Sequence, residues 1–281
     1  MKFLLIALAL SLPGTSGAEE KPVLPMDGLI LDLDAAKGIE LEDGDRVVAW
    51  HNQAPTQPDL VFVNQDEGRK EAGSGRPTLR KNATGGKPSV VFLQQELVCA
   101  DEDVFDSLTT GKGHTWIAVM SVHEQRVGVK DVNSFFGNLR NGGKYEGVWG
   151  CLDDDNRIWW GTRNGLSFGR FDQNNPKVAG AVLEKGTFHL IAGRMDAGTG
   201  EVKLTLHVNS PEAMTTGGFP VNQDANPSRM AIGQERDAIE HPGKESFDGE
   251  IARFLIWERP LNDAELTAAI RQLGTEYLKA N

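Results

Sequence analysis

The stretch Phe247-Asp-Gly-Glu-Ile-Ala-Arg-Phe-Leu-Ile-Trp-Glu-Arg-Pro-Leu-Asn-Asp-Ala-Glu-Leu266 decides the fold. Asp248-Gly249 reads as a turn and the residues after it as a strand. Ile251, Phe254 (after a one-residue slip) and Ile256 are apolar, with Glu250, Arg253 and Glu258 between them. Pro260 ends the strand, because proline cannot donate to a sheet ladder. Asn262 with Glu265 three positions on makes a capping box, and Leu266, Ile270, Leu273 and Tyr277 then recur at helical spacing. A strand running into a short amphipathic helix is expected at this end.

Upstream of Asn262 no long helical period appears. Short apolar runs at 29–33, 47–50, 60–63, 89–92, 115–122, 134–137, 147–151, 157–161, 177–183, 188–195, 203–208, 229–232 and 251–257 read as strands. Turn signals separate them, among them Gly85-Gly86, Asp153 to Asn156, Asn164-Gly165 and Gly217-Gly218. Many short strands at this spacing predict an all-β fold, a two-sheet antiparallel jelly-roll β-sandwich rather than βαβ units.

Residues 1–18 read as a signal peptide: Lys2, an apolar run from Phe3 to Leu12, and small residues for cleavage near Ala18. Residues 19–26 then form a leader and 27–281 the folded domain, secreted or held in the periplasm or cell envelope. No later segment approaches the roughly 20 apolar residues of an integral membrane span. The net charge of −11 argues against nucleic acid and anionic membranes as partners, since phosphates favour Lys/Arg patches. Cys99 and Cys151 face an oxidising compartment. A disulfide between them would close a loop of about 50 residues, worth roughly 4 kcal/mol. Two buried free thiols fit the sequence equally well.

The order of motifs resembles the LamG-like jelly-roll domains of the concanavalin A-like lectin/glucanase superfamily. The resemblance is carried by Leu29-Ile-Leu-Asp-Leu-Asp-Ala35 with Asp45-Arg-Val-Val-Ala-Trp-His-Asn52, by Arg76-Pro77 with Gly86-Lys-Pro-Ser-Val-Val-Phe92, by Thr115 to Val119 and Phe188 to Ala192, and by the closing stretch. Two departures stand out: Asn209-Ser210-Pro211 replaces a usual Asn-Gly turn, and Phe92-Leu-Gln-Gln-Glu-Leu-Val98 lacks the family's acidic turn. The resemblance implies two antiparallel sheets with a short C-terminal helix, and a polysaccharide or glycoprotein glycan as partner. It says nothing of oligomeric state. It also implies a structural Ca2+ as cofactor, for which Asp34 and Asp248 are candidate ligands because the first and last strands should be neighbours.

The candidate glycan site is Arg157-Ile-Trp159-Trp160-Gly161-Thr-Arg163-Asn164. Adjacent tryptophans on a strand point to opposite faces, so either Trp159 or Trp160 should be left as a flat ring for a pyranose. Arg157, Arg163 and Asn164 would bond its hydroxyls. Trp50, Trp116 and Trp257 read as core. No catalytic residue is assigned. Asp101 and Asp103 alternate as a glycosidase pair would, yet the superfamily's Glu-x-Asp-x-(x)-Glu strand is absent, so non-catalytic recognition is the expectation. A divergent glycoside hydrolase or lyase, or an adhesive envelope protein, are the alternatives. The histidines show no metal or triad spacing, and His189 reads as a hydrogen-bonded core residue.

Overall fold

A computed structural model describes residues 23–64, 75–127, 133–140, 145–166, 176–235 and 246–278. The signal peptide, its cleavage point and residues 19–22 of the leader lie outside them.

The strands are β1 (Leu29–Asp34), β2 (Ile39–Glu42), β3 (Arg46–His51), β4 (Val61–Val63), β5 (Thr78–Thr84), β6 (Lys87–Leu93), β7 (Leu97–Cys99), β8 (His114–Val122), β9 (Asn133–Gly137), β10 (Glu146–Leu152), β11 (Arg157–Asn164), β12 (Lys177–Val182), β13 (Phe188–Met195), β14 (Glu201–Val208), β15 (Thr215–Pro220), β16 (Ala231–Ile232) and β17 (Asp248–Trp257). Helix α1 (Asp263–Tyr277) follows.

Among the described residues the named strands all pair antiparallel. One sheet runs β17–β8–β13–β14–β15, with β6 and β1 sharing the other flank of β17 and β5 outside β6. The second runs β2–β3–β4–β7–β16–β9–β10–β11–β12. Among the described residues the two meet where β3 reaches β5, with Arg46 opposite Thr78. The architecture is the expected antiparallel jelly-roll sandwich.

The inter-sheet core takes alternate residues of both sheets, including Phe92, Trp116, Phe136, Trp160, Phe247 and Phe254. Trp116 sits at its centre, edge-on to Trp160 at 5.9 Å and stacked near Phe254 at 6.4 Å. Gly193 makes room for it: a Cβ there would lie 2.2 Å from the indole nitrogen.

A second apolar cluster covers the other face of the first sheet. Leu266, Ala269, Ile270, Leu273 and Tyr277 of α1 pack on Ile117, Val119, Leu190, Leu255 and Trp257. Each fully buried Leu or Ile contributes about 1.5–3 kcal/mol. The helix starts where the sequence places it, with Asn262 Oδ1 accepting from Glu265 N (3.0 Å) and Glu265 Oε2 accepting from Asn262 N (2.9 Å). Arg253 then ties β17 to β1 by a bidentate pair to Asp32 (2.9 and 2.8 Å).

The one-residue slip expected in the closing strand is a register shift between Ile251 and Arg253 against β8. Asp248-Gly249, expected as a turn, opens β17 instead, opposite Leu93 and Phe92. Gly217-Gly218 likewise lies inside β15, where it faces Leu204 and Lys203. By contrast Gly85-Gly86 is the β5–β6 turn, with both φ angles positive (54° and 76°). The expected list of strands left out β2, β5, β7 and β15. These are short, polar or Gly-rich, and pairing with neighbours rather than intrinsic preference makes them strands.

Candidate functional site

The tight turn at Asp153–Asn156 fixes the β10–β11 register, placing Cys151 opposite Trp159 and Trp149 opposite Gly161. Residues at odd positions of both strands therefore share one face, and their even neighbours share the other. Ile158 and Trp160 enter the inter-sheet core, where Trp160 Nε1 donates to the Thr205 carbonyl at 3.1 Å. Trp149, Cys151 and Trp159 turn outward and join Leu139 and Tyr145 in a separate cluster on the outer face of the second sheet.

This outer cluster combines aromatics with cations. Trp149 and Trp159 meet edge to face, 5.4 Å apart at 90°. The Arg163 guanidinium lies 4.8 Å from both the Tyr145 and the Trp149 ring centres, and the exposed Lys177 places its ammonium 4.6 Å from the Trp159 ring centre. Trp159 Nε1 donates to Asp153 Oδ1 at 3.1 Å, and Cys151 Sγ lies 2.8 Å from Ser134 Oγ. The backbone at Glu235 crosses this face beside Gly137, whose amide neighbour Leu139 N donates to the Glu235 carbonyl at 3.0 Å. A Cβ at Gly137 would lie 2.3 Å from that carbonyl oxygen. The indoles are buried, so what the arrangement presents at the solvent edge is the cationic side chain of Lys177 on a rigid aromatic support.

The expected glycan site does not hold together as one patch. Trp159 and Trp160 are both buried, so neither presents an open ring. Trp160 is in the core, and Trp159 is packed against Trp149 and covered by Lys177. Arg157, at the opposite end of β11, donates to the Gly180 carbonyl (3.1 Å). Six residues separate it from Arg163, about 20 Å at the usual strand rise. Asn164 is a staple: its Nδ2 donates to the Pro220 carbonyl (2.8 Å) and its Oδ1 accepts from Leu166 N (2.9 Å). Of the five residues, Trp159 and Arg163 belong to the outer cluster. Trp149, Tyr145 and Lys177 were missed by sequence reasoning. The hairpin across Asp153–Asn156 carried the signal for Trp149, but contacts from Tyr145 and Lys177 depend on where neighbouring strands lie.

The paired-ligand site for Ca2+ also fails. Asp34 faces Arg253 across β1 and β17, five residues along the strand from Asp248. That is about 16 Å at the usual rise, far beyond one ion's coordination sphere. Asp34 instead accepts from Ala36 N (3.0 Å) and the Tyr277 hydroxyl (3.4 Å). Asp248 is locked through its backbone to the Gln125 side chain (2.8 and 3.1 Å), and burial pushes its carboxyl above the usual value. Among the described residues no three His, Cys, Asp or Glu side chains gather to hold a metal.

Cys99 and Cys151 are free. Cys99 points into the inter-sheet core and Cys151 into the outer cluster. β7 and β10 are three strand spacings apart, about 14 Å, too far for a disulfide. Asp101 and Asp103 do not share a strand face, since Asp101 Oδ1 caps a turn by accepting from the backbone N–H of Asp103 (3.1 Å) and Val104 (3.3 Å). Nearby, burial and then the Asp103 charge push Asp106 up to about 6. His189 is a hydrogen-bonded, mostly buried residue, 3.1 Å from Asn209 Nδ2. Trp50, Trp116 and Trp257 are fully buried as expected.

The Laminin_G_3 family model, described as the concanavalin A-like lectin/glucanases superfamily, matches residues 114–267. Among solved structures the chain is similar to Trypanosoma rangeli sialidase in complex with the inhibitor DANA, with 13% identity and a TM-score of 0.54 over 88% of this chain and 33% of that one. It is similar to the binding domain of Paraclostridial Mosquitocidal Protein 1, with 12% identity and a TM-score of 0.52 over 87% of this chain and 52% of that one. The chain thus spans a third to a half of these proteins' lengths, and at such identity the likeness is one of fold. No curated protein matches the chain.

Proposed function

Because the chain belongs to the concanavalin A-like lectin/glucanases superfamily, we propose that it is an exported, non-catalytic binder of extracellular polysaccharide or glycoprotein glycan. The observation that carries this reading is the aromatic and cationic cluster on the outer face of β10, β11 and β12. Trp149 of β10 and Trp159 of β11, which the inter-sheet core does not use, meet edge to face there with Tyr145 beside them, and the exposed Lys177 of β12 sets its ammonium against Trp159. Recognition sites of this kind set a few polar groups on a rigid apolar floor.

A sugar chain lying across β11 and β12 meets Lys177 first. The ammonium has three donors for hydroxyl or carboxylate oxygens. Its long stem can swing off the indole it covers, so the contact between Lys177 and Trp159 is exchanged for contacts to ligand rather than lost. Trp149, Trp159 and Arg163 stay buried beneath it and hold this part of the sheet rigid, which lowers the ordering cost of binding.

Titrating the chain with a panel of neutral and acidic polysaccharides, followed by tryptophan fluorescence, tests this reading. A saturable change is expected with at least one glycan, weakened several-fold by Lys177→Ala, an exposed position where folding is not at risk. If no glycan changes the signal of either the parent chain or Lys177→Ala, binding at this face is ruled out.

A further inference from the structure

A groove of about 290 Å³ opens at the free edge of the sandwich, lined by Ala35, Lys37, Ile39, Leu41, Leu79 and Lys81 among others. It lies away from the outer cluster, on the β1–β2 turn and on β2, β5 and β6. Among the described residues β2 pairs only with β3, and beyond the Arg46–Thr78 pair β5 has no neighbour but β6, so the two sheets part here.

The chemistry of the lining is two-sided. Ile39 and Leu79 are half-buried, Leu41 is 40% exposed, and no aromatic ring takes part. Lys37 and Lys81 are the charged residues of the lining. Lys37 reaches Asp34 only at 3.9 Å, with its side chain 67% exposed. The acids of β2 are already engaged, Glu40 by His51 at 2.7 Å and Glu42 by Arg76. Lys81 has no carboxylate within ion-pair distance among the described residues. In a chain of net charge −11, this is an apolar slot lined by two lysines, Lys37 held loosely by Asp34 and Lys81 with no carboxylate partner among the described residues.

We propose that the groove is a binding site for a small aliphatic carboxylate, its hydrocarbon tail laid on Ile39, Leu41 and Leu79 and its carboxylate between Lys37 and Lys81. At the roughly 30 Å³ that a water-sized unit occupies, the space holds about ten heavy atoms, the size of octanoate. The tail removes exposed apolar surface from water and the carboxylate meets the two ammonium groups. A neutral sugar fits poorly, because the slot has cations but no ring face to stack on.

Isothermal titration of the full chain with octanoate, octan-1-ol and acetate tests the assignment. Octanoate should bind one per chain, about three- to tenfold tighter than octan-1-ol of equal tail length, and at least tenfold tighter than acetate of equal charge. The double variant Lys37→Gln/Lys81→Gln should weaken octanoate about three- to tenfold, the size of two exposed charge pairs, and leave octan-1-ol unchanged. Leu41→Asp, at an exposed position, should abolish octanoate binding. Absence of saturable binding, octanoate binding no tighter than octan-1-ol, or an affinity unmoved by the double variant would each overturn the proposal.

Discussion

His114 gives the sharpest test of the core. It opens β8 fully buried, with Nδ1 2.7 Å from the Leu108 carbonyl and its ring edge-on to Trp160 at 5.6 Å. Among the described residues Nε2 has no hydrogen-bond partner. Burial disfavours the imidazolium and pushes the pKa down to about 4, against a weaker upward pull from the Leu108 carbonyl. The sign follows from proton counting. Between pH 6.5 and 4 the unfolded chain holds a proton on His114 that the folded chain does not, so stability rises with pH across that window and falls on acidification. Lowering the pH from 7 to 4 should therefore cost about 3 kcal/mol at this one residue. His114→Asn keeps an amide able to donate to the Leu108 carbonyl but does not titrate. Urea unfolding followed by tryptophan fluorescence at pH 7, 6, 5 and 4 should show the parent chain losing about 3 kcal/mol more than the variant over that range. His189 and His207 are also pushed down by burial, but both chains contain them, so their effect cancels in the comparison. Parallel pH profiles for the two chains would refute the reasoning and place water beside the imidazole.

Three further outcomes follow from named contacts. Burial pushes Glu250 up, but hydrogen bonds from His123 (3.2 Å) and Ser89 (2.6 Å) and the Arg80 charge outweigh it and hold the carboxyl below its usual value. That stability is present above the unfolded pKa and is lost as pH falls through the folded one, so Glu250→Gln should lower stability at pH 7 and flatten its decline below about pH 4.5. An unchanged acid limb in chemical denaturation would contradict this. Asn262→Ala removes the α1 cap and should cost about 1 kcal/mol in the same assay, and a loss under 0.3 kcal/mol would show the capping box to be idle. Alkylation of the chain in denaturant without reductant should label both Cys99 and Cys151, whereas a mass showing neither thiol labelled would mean that they pair after all.

Much of the scaffold was legible because its signals are local. The capping box of Asn262 and Glu265, the glycines at 85 and 86, and the slip within β17 each depend on residues a few positions apart, and each stands in the structure as read. Asp248-Gly249 and Gly217-Gly218 lie in strands because an Asp-Gly or Gly-Gly pair favours a turn only when no partner strand claims it. Here Leu93 and Phe92, and Lys203 and Leu204, do.

The candidate site was only half legible. Alternation along β11 already required Trp159 and Trp160 to face opposite ways. Which of them met the core, and whether the other stayed open to solvent, was decided by what lies across the strands. Trp116 receives Trp160 on one side, and Trp149, Lys177 and Arg163 close over the aromatics on the other. The same holds for the cysteines, between which the sequence allowed a bond that three strand spacings forbid, and for Asp34 and Asp248, which share neighbouring strands but not one level along them. Sequence by itself determined the period, the caps and the closing strand and helix, because those follow from backbone chemistry over a few residues. The tertiary structure alone decided which side chains meet, because register and sheet order join residues that the chain keeps far apart.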